Sequence, residues 1–455
     1  MMVNAARTTT ALFLATALTV VFAGPATAAT YYVDTAGADT NAGTEAAPFK
    51  TIRHAAATAS AGDVVIVRPG EYDEVVTVTT SGRKDRPITF RADPARKARM
   101  RGFVLEADYI HIEGFEISNP ADGANGIFAG QAHRENARTG CRMIGNHIHD
   151  ITGTAITSGT HAVVKNNTLR NVFRGMFVNS NTLVEDNEVD TLVPVFEEKN
   201  GKKKPKKTMY TFFSGDDITF RGNDLHGAPE EHLLGGMGVC FFASWDAWIF
   251  PSSHRILIEN NRCFNATHAS EPMGTAKKAS SHITYRNNLF VNTVHVGVMP
   301  KGFTHVTVEN NTFINCGAYP VWLQGDQCKT AVVRNNLIAY WKHDQPAKYG
   351  WHAAESGVRI DADENTGVCD YNLFFACKNR EYGEHDFVAE PTFVDPANGD
   401  FRLKAGSPGI DAGTPIKAVT TDLRGAKRPQ GDGWDVGAYE WTPTPPKDKQ
   451  KGDDQ

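Results

Sequence analysis

The sequence predicts an all-β protein, a right-handed parallel β-helix of three-strand coils with an N-terminal helical cap and loop insertions. A short strand, an Asn and an apolar residue recur along the 455 residues, as in ILIENNRCF and VTVENNTFI. The aligned Asn are 146, 167, 187, 223, 261, 288, 311, 336 and 372. Their spacing never falls below 20 residues and is irregularly longer, which is typical of a solenoid with insertions.

Each repeat predicts a short strand, an Asn turn, a second strand, a Gly turn and a third strand. Alternating apolar residues such as Ile256 and Ile258 should point inward. Asn tolerates a left-handed backbone, and its side chain bonds neighbouring amides. We therefore expect the aligned Asn to stack as an internal ladder with a structural role. The repeats lack the leucine pattern of leucine-rich repeats and the longer, even units of propellers.

The two ends of the chain differ in composition from the repeats. Residues 1–29 combine Arg7, a short apolar stretch and the small residues of Ala26-Thr27-Ala28, as a secretory signal peptide does. We expect the β-helix over 30–399, with a cap at about 30–65 that contains a helix from Thr51 to Ala59. A closing segment should follow over 400–441, and a disordered tail over 442–455.

Excess spacing between the aligned Asn predicts three insertions, at Thr191–Ser214, Ala228–Ser253 and Ala339–Glu355. Loops on a rigid scaffold commonly carry binding residues. The pairs Cys316/Cys328 and Cys369/Cys377 are conceivable disulfides, although sequence alone cannot decide the pairing.

The segment YYVDTAGADTNAGTEAAPFKTIRHAAATASAGDVVIVRPGEYDEVVTV, followed by SGRKDRPITFRA, resembles the opening of secreted right-handed β-helix proteins. These are the pectate lyase-like superfamily of polysaccharide lyases and related glycosidases. The segment over Asp400 to Trp441 is similar to a closing module of such proteins. The resemblance implies a secreted (extracellular or periplasmic) enzyme with a Lys or Arg base and calcium held by carboxylates. A compact set of Asp ligands cannot be matched residue by residue, because the acidic residues lie on different coils.

Candidate site residues come from strands that should stack on one face. If Phe241, Val298, Leu323 and Ile360 point inward, their neighbours point outward. The predicted catalytic residues are Lys301, Arg359, Asp326 and Asp361. The predicted calcium ligands are Asp326, Asp361 and Asp363, and the predicted substrate-binding residues are Trp322, Gln324, Glu231, His232 and His268.

The function expected from these residues is β-elimination in a uronate-containing polysaccharide. The alternatives are a glycoside hydrolase with paired carboxylates such as Asp326 and Asp361, a uronate epimerase, and a non-catalytic carbohydrate-binding β-helix. The formal net charge of −5 argues against a nucleic-acid partner. No phosphate-binding Gly motif predicts a nucleotide cofactor, and no later segment is apolar enough to span a membrane. We expect a monomer.

Overall fold

The computed structural model describes residues 27–131, 134–190, 192–193, 196–199, 201–205, 208–226, 238–243, 252–274, 279–325, 327–340, 357–361, 366–377 and 383–443. Within these ranges the chain winds into a parallel β-helix with three faces. The first face holds the strands that precede each aligned Asn. The second face holds those that follow it, and the third completes the coil.

The first face is a parallel sheet of thirteen described strands, numbered here in chain order along the whole molecule. They are β1 (Thr30–Val33), β2 (Val64–Val67), β4 (Ile88–Ala92), β6 (Ile110–Glu113), β9 (Arg142–Ile144), β11 (Val163–Lys165), β13 (Leu183–Glu185), β18 (Ile218–Arg221), β21 (His254–Glu259), β23 (Ser281–Arg286), β25 (His305–Glu309), β28 (Thr330–Arg334) and β31 (Val368–Asp370).

Several longer strands bend from the second face to the third. They are β3 (Gly70–Val78), β5 (Ala98–Leu105), β10 (His147–Thr157), β12 (Thr168–Val178), β22 (Arg262–Pro272) and β24 (Leu289–Val298). The second face also holds β7 (Glu116–Asn119), β14 (Glu188–Val189), β19 (Asp224–Leu225), β26 (Thr312–Cys316), β29 (Leu337–Ala339), β32 (Leu373–Phe375) and β33 (Phe387–Val388). The third face also holds β8 (Ile127–Phe128), β17 (Thr208–Phe213), β20 (Gly238–Ala243), β27 (Tyr319–Leu323) and β30 (Val358–Ile360).

The predicted Asn ladder runs from the coil of β9 to that of β31. Each aligned Asn donates from Nδ2 to Oδ1 of the next, at 2.9–3.1 Å, from Asn146 to Asn372. Asn372 donates to Asp386 at 3.0 Å, and Asp386 ends the row. The nine Asn are 0–1% exposed, so the ladder is an internal column of amide hydrogen bonds.

The prediction that the ladder Asn itself takes the left-handed turn is wrong. The positive φ angle falls on the residue before it, for example 56° at Asn260 and 52° at Asn287. The same position is Gly145, Asp186 or Gly222 in other coils. Gly, Asn and Asp adopt this conformation at low cost. The turn therefore divides two tasks between adjacent residues, since one bends the backbone and the next supplies the ladder.

A short helix covers the N-terminal end of the coil stack, where the sequence predicts one. Helix α1 runs over Ile52–Thr58, and the Thr51 side chain accepts a hydrogen bond from the amide of His54 as its N-cap. Ile52 is fully buried in the hydrophobic core. The helix therefore shields the apolar interior of the first coils from water.

The C-terminal residues pack along the outside of the second face. β34 (Phe393–Asp395) and β35 (Asp400–Leu403) pair antiparallel, with a 3-10 turn at Pro396–Asn398 between them. Phe393, Phe401 and Tyr439 form one apolar cluster with outward side chains of the second face. The members from that face are Leu289, Val291, Ile314, Leu337, Ala339 and Leu373.

Two predicted insertions contain strands of the coil itself. Thr208–Phe213 (β17) falls inside the predicted Thr191–Ser214 insertion, and it pairs with β12 and β20 on the third face. Gly238–Ala243 (β20) falls inside the predicted Ala228–Ser253 insertion. The projecting part of the first insertion includes an antiparallel hairpin of β15 (Phe196–Lys199) and β16 (Lys202–Pro205). The third predicted insertion lies almost entirely outside the described residues.

All seven Cys, each within the described ranges, have free thiols, so neither suggested disulfide forms. Burial raises the pKa of the Cys316 thiol to about 12 and that of Cys377 to about 12. These side chains act as small apolar groups of the core. Among the described helices, none is long and apolar enough to cross a membrane.

Candidate functional site

The candidate site lies on the outer side of the third face, where neighbouring strands align their side chains. The register places Phe177 beside Phe212, Phe212 beside Phe242, and Phe242 beside Glu271. Further along, Trp322 lies beside Arg359. We call this line of residues the outer row. The row changes along the β-helix from aromatic to charged side chains. Its titratable groups therefore lie in its later part.

The inward residues that anchor this face are as predicted. Phe241, Val298 and Leu323 are fully buried, and Ile360 is partly buried against the same core. Because these side chains fix the strands, their outward neighbours are held in register from coil to coil. Met299, expected on the outward side, is 7% exposed and therefore offers little surface to a ligand.

Arg359 is the centre of a compact polar and aromatic cluster. Its Nε donates to Oδ1 of Asp361 at 2.8 Å, and its Nη1 donates to the Tyr319 hydroxyl at 3.0 Å. The guanidinium carbon lies 5.2 Å from the Tyr319 ring centroid and 4.8 Å from that of Trp322. The hydrogen bonds to Asp361 and Tyr319 raise the pKa of Arg359, so the group stays charged. This cation is held on two aromatic rings and remains 45% exposed.

Lys301 lies at the same edge of the face, and its backbone bridges to Met273 on one coil and Gln324 on the next. The side chain is exposed. None of the ion pairs between described residues includes its amine. Gln324 immediately follows Leu323, whose partner across the ladder is Ile360, and Asp361 comes next. The amine and the Arg359 cluster therefore belong to neighbouring coils.

A second group on this face joins two His and one Glu. His268 Nδ1 lies 3.0 Å from Oε2 of Glu271, and its Nε2 lies 3.3 Å from Nδ1 of His295. The Glu271 side chain is 7% exposed and that of His268 is 13% exposed. A carboxylate beside an imidazole fixes the orientation of the ring. The His268 ring is therefore held between Glu271 and His295.

The aromatic part of the outer row is closed to ligands. The rings of Phe177 and Phe212 stack with centroids 4.7 Å apart, and Phe212 and Phe242 follow at 5.6 Å. These three side chains are only 6–8% exposed and form a separate apolar cluster with Val239. Tyr319 and Trp322, later on the same face, are only half-buried and keep part of their surface accessible.

The predicted site residues have different outcomes in the structure. On three successive coils, one edge of the face carries Lys301, then Trp322 and Gln324, then Arg359 and Asp361, and His268 lies one coil before Lys301. The predicted residues Asp326, Asp363, Glu231 and His232 lie outside the described residues.

Asp361, predicted as a calcium ligand, has both carboxylate oxygens engaged. Oδ1 accepts from Arg359, and Oδ2 accepts from Trp322 Nε1 at 3.1 Å and from the Gly325 amide at 3.4 Å. Calcium binds six to eight oxygen ligands, usually with several carboxylates. In the described part of the site, Asp361 is held by hydrogen bonds from Arg359, Trp322 and Gly325, and its role as a calcium ligand stays a prediction.

Sequence reasoning missed Tyr319 and His295. Strict alternation from the buried Val321 and Leu323 would place Tyr319 inside the helix. Pro320 and Val321 are both buried in succession, however, so the alternation breaks and Tyr319 lies outside beside Arg359. His295 lies in β24 between Val294 and Val296. Both Val side chains are buried, and the His295 side chain is exposed to solvent.

Two family models cover most of the β-helix. One described as "Pel9A-like, right handed beta helix region" matches residues 31–181, and one described as "Right handed beta helix region" matches residues 212–383. A curated but uncharacterized protein of Bacillus subtilis strain 168 is 32% identical over 148 residues. That alignment covers 29% of this chain and 31% of the relative, so the chain matches about a third of that protein's length.

Pectate lyase Pel9A has the same fold, with a TM-score of 0.55 at 17% identity, over 92% of this chain and 98% of that enzyme. A lacto-N-biosidase from Eubacterium ramulus is similar with a TM-score of 0.48 at 14% identity, over 75% of this chain and 67% of that one. The three-faced parallel coil, its Asn ladder and the two family models together identify the chain as a right-handed parallel β-helix protein, with a Pel9A-like region over residues 31–181.

Proposed function

We propose that this protein is a polysaccharide lyase that cleaves a uronate-containing polymer by β-elimination. The observation that carries the proposal is the edge of the third face where an exposed amine, Lys301, lies two coils before a guanidinium, Arg359, which is supported by Tyr319 and Trp322. Fold similarity to a pectate lyase over nearly the whole chain supports the same class of polymer. The residues 1–29, expected to be a signal peptide, agree with an extracellular substrate.

β-Elimination from a uronate needs three contributions. A positive group must neutralise the carboxylate, a base must remove the ring proton beside it, and the glycosidic oxygen must leave. Arg359 is the group that would bind the carboxylate, because its charge is permanent and its planar donors match carboxylate geometry. Lys301 would remove the proton. Because an amine accepts a proton only in its neutral form, elimination should accelerate as the pH rises.

Aromatic rings at this edge would orient the sugar. Tyr319 and Trp322 lie with centroids 5.2 Å apart at an angle of 49°, and both rings lie beside Arg359. Gln324, on the same coil, would bond ring hydroxyls. His268 lies further along the face and would contact a neighbouring sugar unit of a long polymer.

Calcium is not needed for this proposal. Asp361 already accepts three hydrogen bonds, one of them from the guanidinium of Arg359, which balances its charge. We therefore assign carboxylate neutralisation to Arg359. A calcium ion held by Asp326, Asp361 and Asp363 stays a prediction from sequence, and a chelator tests it directly.

The experiment is an absorbance assay with purified protein on pectate, alginate and glycosaminoglycans. An unsaturated uronate product absorbs in the ultraviolet, so elimination is recorded directly. We expect Lys301→Ala to reduce kcat by about 10²–10⁴-fold, the usual contribution of a positioned base. Arg359→Ala should raise KM as well as lower kcat. The matched control is Lys404→Ala, an exposed Lys on the C-terminal segment that packs on the second face.

Three outcomes would overturn parts of this proposal. Full activity in Lys301→Ala would exclude that amine as the base. New reducing ends without ultraviolet absorbance would point instead to hydrolysis. An absence of both signals on every polymer would exclude a lyase for these substrates and favour a carbohydrate-binding role.

A further inference from the structure

Two His and one Glu meet on the outer side of the second face, away from the third-face site. Glu116 lies on β7, and His147 and His149 lie on the neighbouring β10, where His147 pairs with Glu116. One ligand atom from each of the three side chains lies within 4.8 Å of the other two. All three side chains are half-buried. Residues two apart on a strand point to the same side, so both imidazoles face the same space.

The orientation of His149 is fixed by a second carboxylate. Its Nδ1 lies 2.7 Å from Oδ2 of Asp150, and its Nε2 lies 3.3 Å from Oε1 of Glu116. Asp150 is in turn held by a hydrogen bond from Asn171. Metal-binding imidazoles usually donate their other nitrogen to a carboxylate in this way, which fixes the tautomer and strengthens the ligand. His149 therefore presents Nε2 toward Glu116 and His147.

Glu116 is positioned in a similar manner. Its Oε2 pairs with Nε of Arg99 at 3.1 Å, while its Oε1 is the oxygen that faces His149. Arg99 is also bound to Glu71 at 3.0 Å, so part of its charge is already balanced. Arg170, a further cation near the cluster, is paired with Asp190 at 3.0 Å. One carboxylate oxygen of Glu116 thus remains directed at the two imidazoles.

His147 supplies the third ligand. Its ring centroid lies 4.8 Å from that of His149, at an angle of 34°. The ring is half-buried, and it lies on the same side of β10 as His149, beside Glu116 on the neighbouring strand.

We propose that Glu116, His147 and His149 form a binding site for a divalent transition metal ion of the zinc type. Two imidazoles and a carboxylate are a common zinc set that leaves a fourth position open to water. Metal–ligand bonds of about 2.0–2.2 Å place the ligand atoms of a tetrahedral site roughly 3.3–3.5 Å apart. His149 Nε2 and Glu116 Oε1, at 3.3 Å, already satisfy this distance. Only His147 has to move inward. The ion would link two neighbouring coils through side chains.

The test is titration of the full chain with ZnCl2 by calorimetry, together with the absorption spectrum of bound Co²⁺. We expect one fewer zinc ion per chain, and loss of the cobalt bands, when both His147→Asn and His149→Asn are introduced. The matched control is the pair His282→Asn and His305→Asn. Those rings also stack, with centroids 4.3 Å apart, but the pair belongs to no metal-compatible group among the described residues. The control should bind zinc as the wild type does.

A third variant separates metal binding from a structural ion pair. Asp150→Asn removes the carboxylate behind His149 and should weaken zinc binding by about 10–100-fold without changing the stoichiometry. Ca²⁺ and Mg²⁺, which prefer oxygen ligands, should not compete. The proposal is overturned if the His147/His149 variant binds as much zinc as the wild type. It is also overturned if the wild type binds none, in which case the contacts of His149 with Asp150 and Glu116 only hold the two coils together.

Discussion

His111 is a titratable side chain whose environment opposes its charged form. It lies on the first face, between Thr89 on one neighbouring strand and Arg142 on the other. Burial, followed by the positive charge of Arg142, lowers the pKa of His111 to about 4. An unfolded chain protonates a His near pH 6.5. Between pH about 6.5 and 4 the unfolded state therefore binds more protons, and stability is lost as the pH falls through this window.

Replacing His111 with Gln should remove this part of the acid sensitivity. We expect the loss in free energy of unfolding between pH 7 and pH 5 to be smaller in His111→Gln by about 1 kcal/mol, an estimate reduced for solvent screening. Urea unfolding at the two pH values measures the difference. An identical loss in both proteins would mean that His111 takes up its proton as easily in the folded state as in the unfolded one.

At the scale of single residues, sequence predicts the site where strand alternation is regular. Trp322, Arg359 and Asp361 were placed outward by counting from Leu323 and Ile360, and they are found there. Tyr319 could not be placed in this way, because the strand bends where Pro320 and Val321 are both buried. The chemistry of the third face thus depends on a local irregularity that periodicity does not contain.

At the scale of the element, the Asn ladder is the feature that stacks one coil on the next. Asn261 accepts at Oδ1 from both the amide and Nδ2 of Asn223, and it donates to Asn288 and to the Phe220 carbonyl. It is fully buried. Asn261→Ala should therefore lower the free energy of unfolding by about 2–4 kcal/mol, since several buried polar groups lose their partners. Thermal or urea unfolding measures this loss.

An outer Asn provides the control for this prediction. Asn292 also hydrogen bonds to Asn265 and Asn315 on neighbouring coils, but in a half-buried position, and its φ angle is 55°. Asn292→Gly keeps the left-handed backbone accessible and removes only those outer bonds. We expect a loss of less than about 1 kcal/mol. Equal losses in the two variants would show that the buried column has no special role in coil stacking.

The Asn spacing predicts the coils from β9 onward but not where an insertion leaves a coil. Each of these later coils has one ladder Asn, so the long interval between Asn187 and Asn223 reveals extra residues without their position. The extra residues come between the second and third faces, as the β15–β16 hairpin, and the chain then returns as β17. Because β17 has no Asn turn of its own, the Asn spacing does not distinguish this strand from the insertion.

At the scale of the whole molecule, each coil contacts mainly its neighbours, and the two ends are covered differently. Helix α1 covers the first coils through buried residues such as Ile52. The C-terminal segment instead lies along the side of the later coils. It accepts hydrogen bonds from Asn287 at the Thr421 carbonyl and from Asn335 at the Thr414 carbonyl. In a solenoid, stability is close to a sum over coils and their interfaces. The two ends should therefore unfold separately.

Ile52→Ala tests this separation. Removing a buried Ile side chain typically costs about 2–5 kcal/mol, and here the cavity would lie beside the first coils only. Hydrogen exchange should therefore become faster in Val64–Val67 and Ile88–Ala92, while Thr330–Arg334, beyond several intact coil interfaces, should exchange as in the wild type. Mass spectrometry of peptides from these strands measures both. Equally faster exchange in all three strands would mean that the whole β-helix unfolds as one cooperative unit. The cap at one end would then stabilise coils at the other end.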